Sequence, residues 1–399
     1  MNGHISYEYA GYLRTEKYDK EPPRRKELIV NCEKPFNAET RPDLLPRSFY
    51  VPNDLFFVRN HAPVPVLRSE EEFRLRVEGI VAYPLLLSLQ DLKTKFRKHT
   101  VTAVLQCAGN RRTEMSRIKP IQGVPWLHGA AGNAVWSGAL LKDVLMAAGV
   151  YPNKAEHVEF EGADLPPEEE NRSGYLASIP LKKALDEDQE VLLAYEMNGE
   201  ILSRDHGYPL RVIVPGFVGA RSVKWLSRII CKMDSSEGFF MTKDYKYLPS
   251  SMDFGNVDWS STPPIMNLSV QCAICDPLPD TKLSQGPYKV RGYALTGKGD
   301  HIMRVELSVN GSKDWQEAKL IKGEKIANRE IPKRITAGLK DWSWVLWELV
   351  VDIKPPMVIM ARAIDSACNT QPEVPLWNLR GVMNNSWHKV NILPLTSAL

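Results

Sequence analysis

The chain has 399 residues, 43% of them hydrophobic and 25% charged, and its formal net charge is only +3. That length exceeds what one hydrophobic core usually serves, so two or three domains are expected. The charge balance excludes a general nucleic-acid binder. No uninterrupted apolar run approaches the roughly 20 residues of a membrane span.

Two basic clusters, Arg24-Arg25-Lys26 and Lys95-Phe96-Arg97-Lys98-His99, read as solvated faces. Residues 1–28 contain no apolar stretch and carry Glu and Asp among their Lys and Arg, unlike a secretory signal or a mitochondrial presequence. Ser397-Ala398-Leu399 is similar to a peroxisomal Ser-Lys-Leu tail with a non-basic middle residue. A peroxisomal address is the expectation, with cytoplasm or mitochondrion as alternatives. The six cysteines, at 32, 107, 231, 272, 275 and 368, are too scattered for a disulfide scaffold. Cys272 and Cys275 form one C-x-x-C pair without the second ligand pair that zinc needs, so they read as two strand thiols.

Residues 1–34 form an N-terminal extension. Residues 35–260 mix both periodicities and predict an α+β domain with many loops. Residues 73–80 alternate as a half-buried strand, and residues 140–149 read as a short amphipathic helix ended by Gly149. A helix over 181–185 leads to a buried strand around Leu193, and strands follow at 210–215 and 222–230. Neither G-x-G-x-x-G nor G-x-x-x-x-G-K-S/T occurs, so both nucleotide fingerprints are missing. Ser260-Ser261-Thr262-Pro263-Pro264 reads as a linker. Beyond it, residues 261–399 predict an immunoglobulin-like β-sandwich, with strands at 268–274, 288–295, 302–309, 344–353 and 357–365. Asn310-Gly311 signals a tight hairpin in which both residues take positive φ. The tail from Trp377 onwards is expected to fold back.

The most informative stretch is VTAVLQCAGNRR, residues 101–112. A strand runs into Cys107, and a turn of small residues then delivers Arg111 and Arg112. Neighbouring guanidinium groups favour a thiolate, and a strand end fixes its sulfur. From spacing alone the plainer interpretation is preferred: a buried strand cysteine followed by two surface arginines.

The longer pattern changes that weighting. FFVRNHAPVP, LQCAGNRR, WLHGAAGNAVWSG, LAYEMNGE, RDHGYPLRVIVPG, GARSVKW, KDYK and WNLRGV occur in that order. Together they resemble the sulfite oxidase family, which also includes the molybdenum domain of eukaryotic nitrate reductase. The resemblance covers about residues 34–389 and is closest in layout to the haem-free plant-type members. It implies a molybdenum–molybdopterin cofactor with Cys107 as the metal's protein ligand, a thiolate suited to a metal already bound by sulfur. Its cofactor contacts fall on Val58, Arg59, Asn60, His61 and Ala62, then on Asp164, His206, Arg211, Ser222, Val223 and Lys224. Asp164 can accept from the pterin amino group, His61 and His206 can each donate a ring N–H, and Arg211, Lys224 and Ser222 suit its phosphate.

The resemblance further implies a sulfite pocket built from Arg59, Arg112, Trp126, Tyr245 and Arg380, beside Cys107. Arg380 discriminates between substrates, because nitrate-reducing members lack it. Nitrate or another oxyanion reductase on the same scaffold is the alternative, and a non-catalytic anion or pterin carrier is a rival from another class. The expected partners are sulfite, a second copy of the chain in a homodimer, and dioxygen or a cytochrome-type electron acceptor. Haem, flavin, nucleic acid and membrane are not expected.

Overall fold

The computed structural model describes residues 10–323 and 340–395. The Ser397-Ala398-Leu399 ending lies outside these residues. Among them, no helix is long and apolar enough to cross a membrane. The architecture is mixed α+β followed by a β-sandwich.

Three larger sheets and the two-stranded pair Tyr12–Leu13 with Val66–Leu67 carry the first part of the chain. One orders Leu176–Pro180, His157–Gly162, Leu226–Lys232, Leu75–Gly79 and Leu85–Leu87, with Leu226–Lys232 parallel to Leu75–Gly79. The second orders Glu200–Ile201, Leu192–Met197, Ala131–Leu140 and Lys98–Gln106, with Arg211–Ile213 beside Leu192–Met197. Nine of the ten residues of Ala131–Leu140 are buried, as a central strand covered on both faces requires. Gly138 is obligatory there, since a Cβ would sit 1.9 Å from the Leu193 carbonyl oxygen. The third sheet pairs Ile29–Glu33, Phe36–Glu39 and Val58–Arg59.

The sandwich stacks two sheets. One holds Gln271–Asp276, Gly286–Leu295, Val345–Ile353 and Lys319–Ile321. The other holds Thr281–Leu283, His388–Pro394, Met357–Asp365, Ile302–Ser308 and Gln316–Glu317. Val290, Val305, Trp347, Ile359 and Val390 fill the space between them. Trp342 and Trp344 turn the other way and join the core of the first part. Trp344 donates to the Phe49 carbonyl at 3.0 Å and Trp342 to Glu190 at 3.0 Å.

Most expected elements are present, with instructive shifts. The strand expected at 222–230 begins only at Leu226, because Trp225 takes a left-handed φ of 51° and releases Ser222–Lys224 from the sheet. At the Asn310-Gly311 hairpin the positive φ values belong to Gly311 and Ser312 instead. Asn310 spans the loop with its side chain, accepting from Asp314 N at 3.1 Å and donating to Asp314 Oδ2 at 2.7 Å. The loop is therefore longer than a two-residue turn, and pairing resumes at Leu307 with Gln316. Cys272 and Cys275 are buried strand thiols facing different cores, so they cannot share a metal. Arg24 is not solvated: its guanidinium lies 3.8 Å over the Phe36 ring and binds Asp205. Nor are Arg111 and Arg112 surface groups, since both are buried.

Candidate active site

Cys107 follows the last residue of the Lys98–Gln106 strand and is 5% exposed. Its N–H donates to the Ala130 carbonyl at 2.9 Å, and its own carbonyl accepts from Asn110 N at 3.0 Å. The chain then turns through Arg111, whose φ is +66°. Burial alone would make that guanidinium costly. It is satisfied by Glu114 at 2.6 and 2.7 Å, by Gln271 Oε1 at 2.8 Å and by the Ser386 carbonyl at 2.6 Å. Arg111 thus points into the sandwich, and Arg112 is left facing the sulfur side.

Arg112 is oriented by two carbonyls, Gly381 at 3.1 Å and Val124 at 2.9 Å. Gly109 lies beneath it: a Cβ there would stand 2.8 Å from both the Arg112 guanidinium and the Trp126 ring. Trp126 is fully buried, and its loop is held by Glu39, which accepts from Leu127 N at 2.9 Å and Gly129 N at 2.8 Å. The tail returns through Met383 N, which donates to the Ala108 carbonyl at 2.7 Å, so Arg380 arrives beside Arg112. Asp244 binds one Arg380 amino group, while the Arg380 Nε is buried without a partner.

Arg59 comes from the Val58–Arg59 strand and is held by Asn37 Oδ1 at 3.0 Å and by the Asn60 carbonyl at 2.8 Å. It lies deep yet remains open to the cleft. Burial opposes its charge, but Tyr245, Cys107 and Tyr175 outweigh this and raise its pKa. Burial lowers the pKa of Arg112, and Arg59 adds to the effect. Arg380 is pulled down to about 10 by burial and then by Arg112 and Arg59. The three guanidinium groups repel one another and remain charged at neutral pH.

Tyr245 follows one turn of π-helix, Phe240–Asp244. Its hydroxyl is 2.9 Å from His61 Nε2. Burial, then Arg59 and Lys224, hold the His61 pKa well below the ordinary range, so the ring is neutral. Burial also raises the Tyr245 pKa, so the hydroxyl keeps its proton.

A cleft of about 720 Å³, partly open to solvent, runs past Cys107. Arg59, Asn60, His61, Asp164, His206, Arg211, Ser222, Val223, Lys224 and Tyr245 line it. Val58 and Ala62 are buried beside that wall. Arg112, Trp126 and Arg380 are outside the lining and stand behind it. His206 Nε2 is 2.7 Å from the Asn53 carbonyl, which can only accept, so this nitrogen carries the proton and Nδ1 is an acceptor. The donor expected from His206 is therefore already used. Asp164 is pushed up to about 6 by burial, against Lys224 and the Tyr175 N–H. Sequence reasoning missed Tyr175 and Asp205, which also line the cleft. Phe240 packs against Tyr175 from behind with centroids 4.3 Å apart, and nothing in the local sequence marks the Tyr175 ring as part of a cleft.

The end of the cleft at Arg211 and Lys224 is the most telling. Arg211 is buried, bonds only to the His206 and Ser222 carbonyls at 3.0 and 3.1 Å, and leaves its Nε without a partner. Burial brings its pKa down to about 9. Lys224 is likewise drawn down to about 7 by burial, and its ammonium bonds to the Asn60 amide oxygen and the Asp205 carbonyl. Two buried cations that hydrogen-bond to no carboxylate among the described residues fit a group that brings its own negative charge.

Residues 61–240 match the family described as oxidoreductase molybdopterin binding domain, and residues 262–394 match the Mo-co oxidoreductase dimerisation domain. Over 388 residues the chain is 44% identical to a sulfite oxidase of Arabidopsis thaliana, covering 95% of this chain and 97% of that protein. The chain belongs to the sulfite oxidase family. A Gallus gallus sulfite oxidase is 46% identical over 376 residues, covering 92% of this chain and 78% of its relative. An inducible NADH nitrate reductase of Glycine max is more distant, at 39% over 374 residues, covering 89% of this chain and 41% of that protein. The fold of this family member is also that of the sulfane dehydrogenase SoxCD of Paracoccus pantotrophus. The TM-score is 0.73 at 23% identity, covering 98% of this chain and 95% of that one.

Proposed function

We propose that the protein oxidises sulfite to sulfate at a molybdenum–molybdopterin group. The observation that carries this reading is the convergence of Arg59, Arg112 and Arg380 on the side of Cys107, where Asp244 bonds to Arg380 and Glu168 offsets part of its charge, while Arg112 and Arg59 still repel it. When bound, the cofactor would supply oxygen-atom transfer and accept two electrons, for a net change of sulfite plus water to sulfate, two protons and two electrons.

The chain's own residues do the rest. Cys107 offers the sulfur that holds the metal. Arg211 and Lys224 neutralise the cofactor phosphate, and Ser222, whose Oγ accepts from Val214 N at 3.0 Å, keeps its hydroxyl proton for that phosphate. Asp164 accepts from the pterin amino group. Arg59 lines the cleft and Arg112 and Arg380 stand just behind its wall; together their charge draws the sulfite dianion in, and the low dielectric strengthens that attraction. Trp126 limits the pocket's size. The neutral His61 accepts from Tyr245, or donates to it, and so holds the phenol hydroxyl where a proton can be passed.

The test is purified protein with sulfite, following oxygen consumption and peroxide together. Stoichiometric peroxide supports dioxygen as the acceptor, and turnover only with an added cytochrome supports the other class. Nitrate reduction with reduced viologen, without sulfite turnover, would overturn the substrate. We assign residues 35–260 to the cofactor and residues 261–399 to a dimerising sandwich, without haem or flavin. Sedimentation at twice the 45.1 kDa chain mass supports the homodimer. The Ser397-Ala398-Leu399 ending supports a peroxisomal address, checked by a fluorescent fusion with and without these residues.

A further inference from the structure

One carboxylate at the anion-binding end has no role in this reading. Asp205 lines the same cleft as Arg211 and Lys224, where a negative charge opposes a phosphate. Its side chain is 9% exposed, so water screens it little. The Lys224 ammonium is close enough to feel the carboxylate's charge, yet it donates to the backbone carbonyl of Asp205 at 2.8 Å and not to the carboxylate.

Both carboxylate oxygens are held from the other side. Arg24 donates Nε to Oδ2 and a terminal nitrogen to Oδ1, each at 2.8 Å, in the two-pronged geometry that guanidinium and carboxylate favour. Arg24 is itself locked. Glu21 binds it and also accepts from Val64 N at 2.9 Å, just past the His61 segment. The same stretch of chain is stitched to the cleft by the Tyr12–Leu13 strand, which pairs with Val66–Leu67, and by Arg14, which donates to the Asp164 carbonyl at 3.2 Å.

We propose that Arg24 is a positioning residue for the cofactor: by saturating Asp205 it keeps the Lys224 ammonium free of a carboxylate and available to the anionic tail of the pterin. Without Arg24, the buried Asp205 takes Lys224 as its counter-ion and the phosphate loses a cation. The idea rests on the cofactor reading above, and it gives the extension ahead of the first motif a task in holding that group.

The test measures molybdenum per chain, and pterin fluorescence after oxidative release, during prolonged dialysis of the loaded dimer. Arg24→Gln is expected to lose the cofactor about tenfold faster than wild type, and Arg24→Lys to stay within about threefold. The decisive variant is Arg24→Gln/Asp205→Asn, which removes the competing carboxylate and is expected to restore retention. Loss unchanged in Arg24→Gln overturns the proposal. So does loss that the second substitution does not rescue, since Arg24 would then merely fasten the chain. Should Arg24→Gln fail to fold, Asp205→Asn alone decides: retention equal to or better than wild type supports the claim, and faster loss refutes it. Wild-type protein without molybdenum would sink the cofactor reading itself; metal held alike by every variant sinks only the role of Arg24.

Discussion

Replacing Arg380 with glutamine separates the substrate pocket from the cofactor site. Glutamine keeps a hydrogen-bond donor and removes the charge. Arg380 already repels Arg112 and Arg59, which with burial brings its pKa down to about 10. That repulsion is relieved when a dianion enters, so its loss falls on binding and on the transition state rather than on the resting protein. One fixed donor at a developing charge contributes roughly 2–4 kcal/mol, or about 30- to 900-fold in kcat/KM for sulfite. A second effect must be divided out. Asp244, 7% exposed, binds Arg380 and would lose its cation, and an orphaned buried charge costs about 3–5 kcal/mol. The double variant Arg380→Gln/Asp244→Asn removes that penalty, so it should recover thermal stability while the KM defect persists. The assay is steady-state sulfite oxidation beside molybdenum content and a melting curve. A wild-type KM in the double variant with full metal content would remove Arg380 from the pocket.

Cys107→Ser should abolish turnover while the pterin stays bound, because Arg211, Lys224 and Asp164 hold the organic part; metal and pterin assayed separately would show it, and an active serine variant would refute the ligand. Asp164 titrates near 6 in the fold against 3.8 ordinarily, so its contribution is fully present below pH 4 and is lost as pH rises through 6. Cofactor-free Asp164→Asn should therefore match wild type at pH 4 and exceed it by up to about 3 kcal/mol above pH 6, read from denaturant melts across that range. A constant difference would refute the assigned titration. Glu39→Gln should leave one backbone N–H of the Trp126 loop without an acceptor, since the carboxylate now serves Leu127, Gly129 and Asn31. The expected cost is about 1–3 kcal/mol in stability, with KM raised and molybdenum content unchanged; an unaltered KM would mean that this latch does not set the Trp126 position.

The sequence by itself determined the class of fold and the ordered motifs. The alternation of residues 73–80, the strand that runs into Cys107 and the strand periods beyond residue 261 are local properties, set by burial on one face or both. Ligand-type residues such as Arg211 and Lys224 were also legible, because their motifs are contiguous.

What only the tertiary structure decided is which charge meets which. Arg111 and Arg112 are adjacent and chemically identical, yet a left-handed turn sends one into the sandwich and the other toward the sulfur. His206 looks like a donor until the Asn53 carbonyl claims its proton. Arg24 reads as one of three surface cations, and burial against Phe36 and Asp205 makes it part of the cleft. Pairing across 181 residues leaves no periodicity to read. It follows from desolvation, which forces each buried charge to find a partner wherever the folded chain brings one.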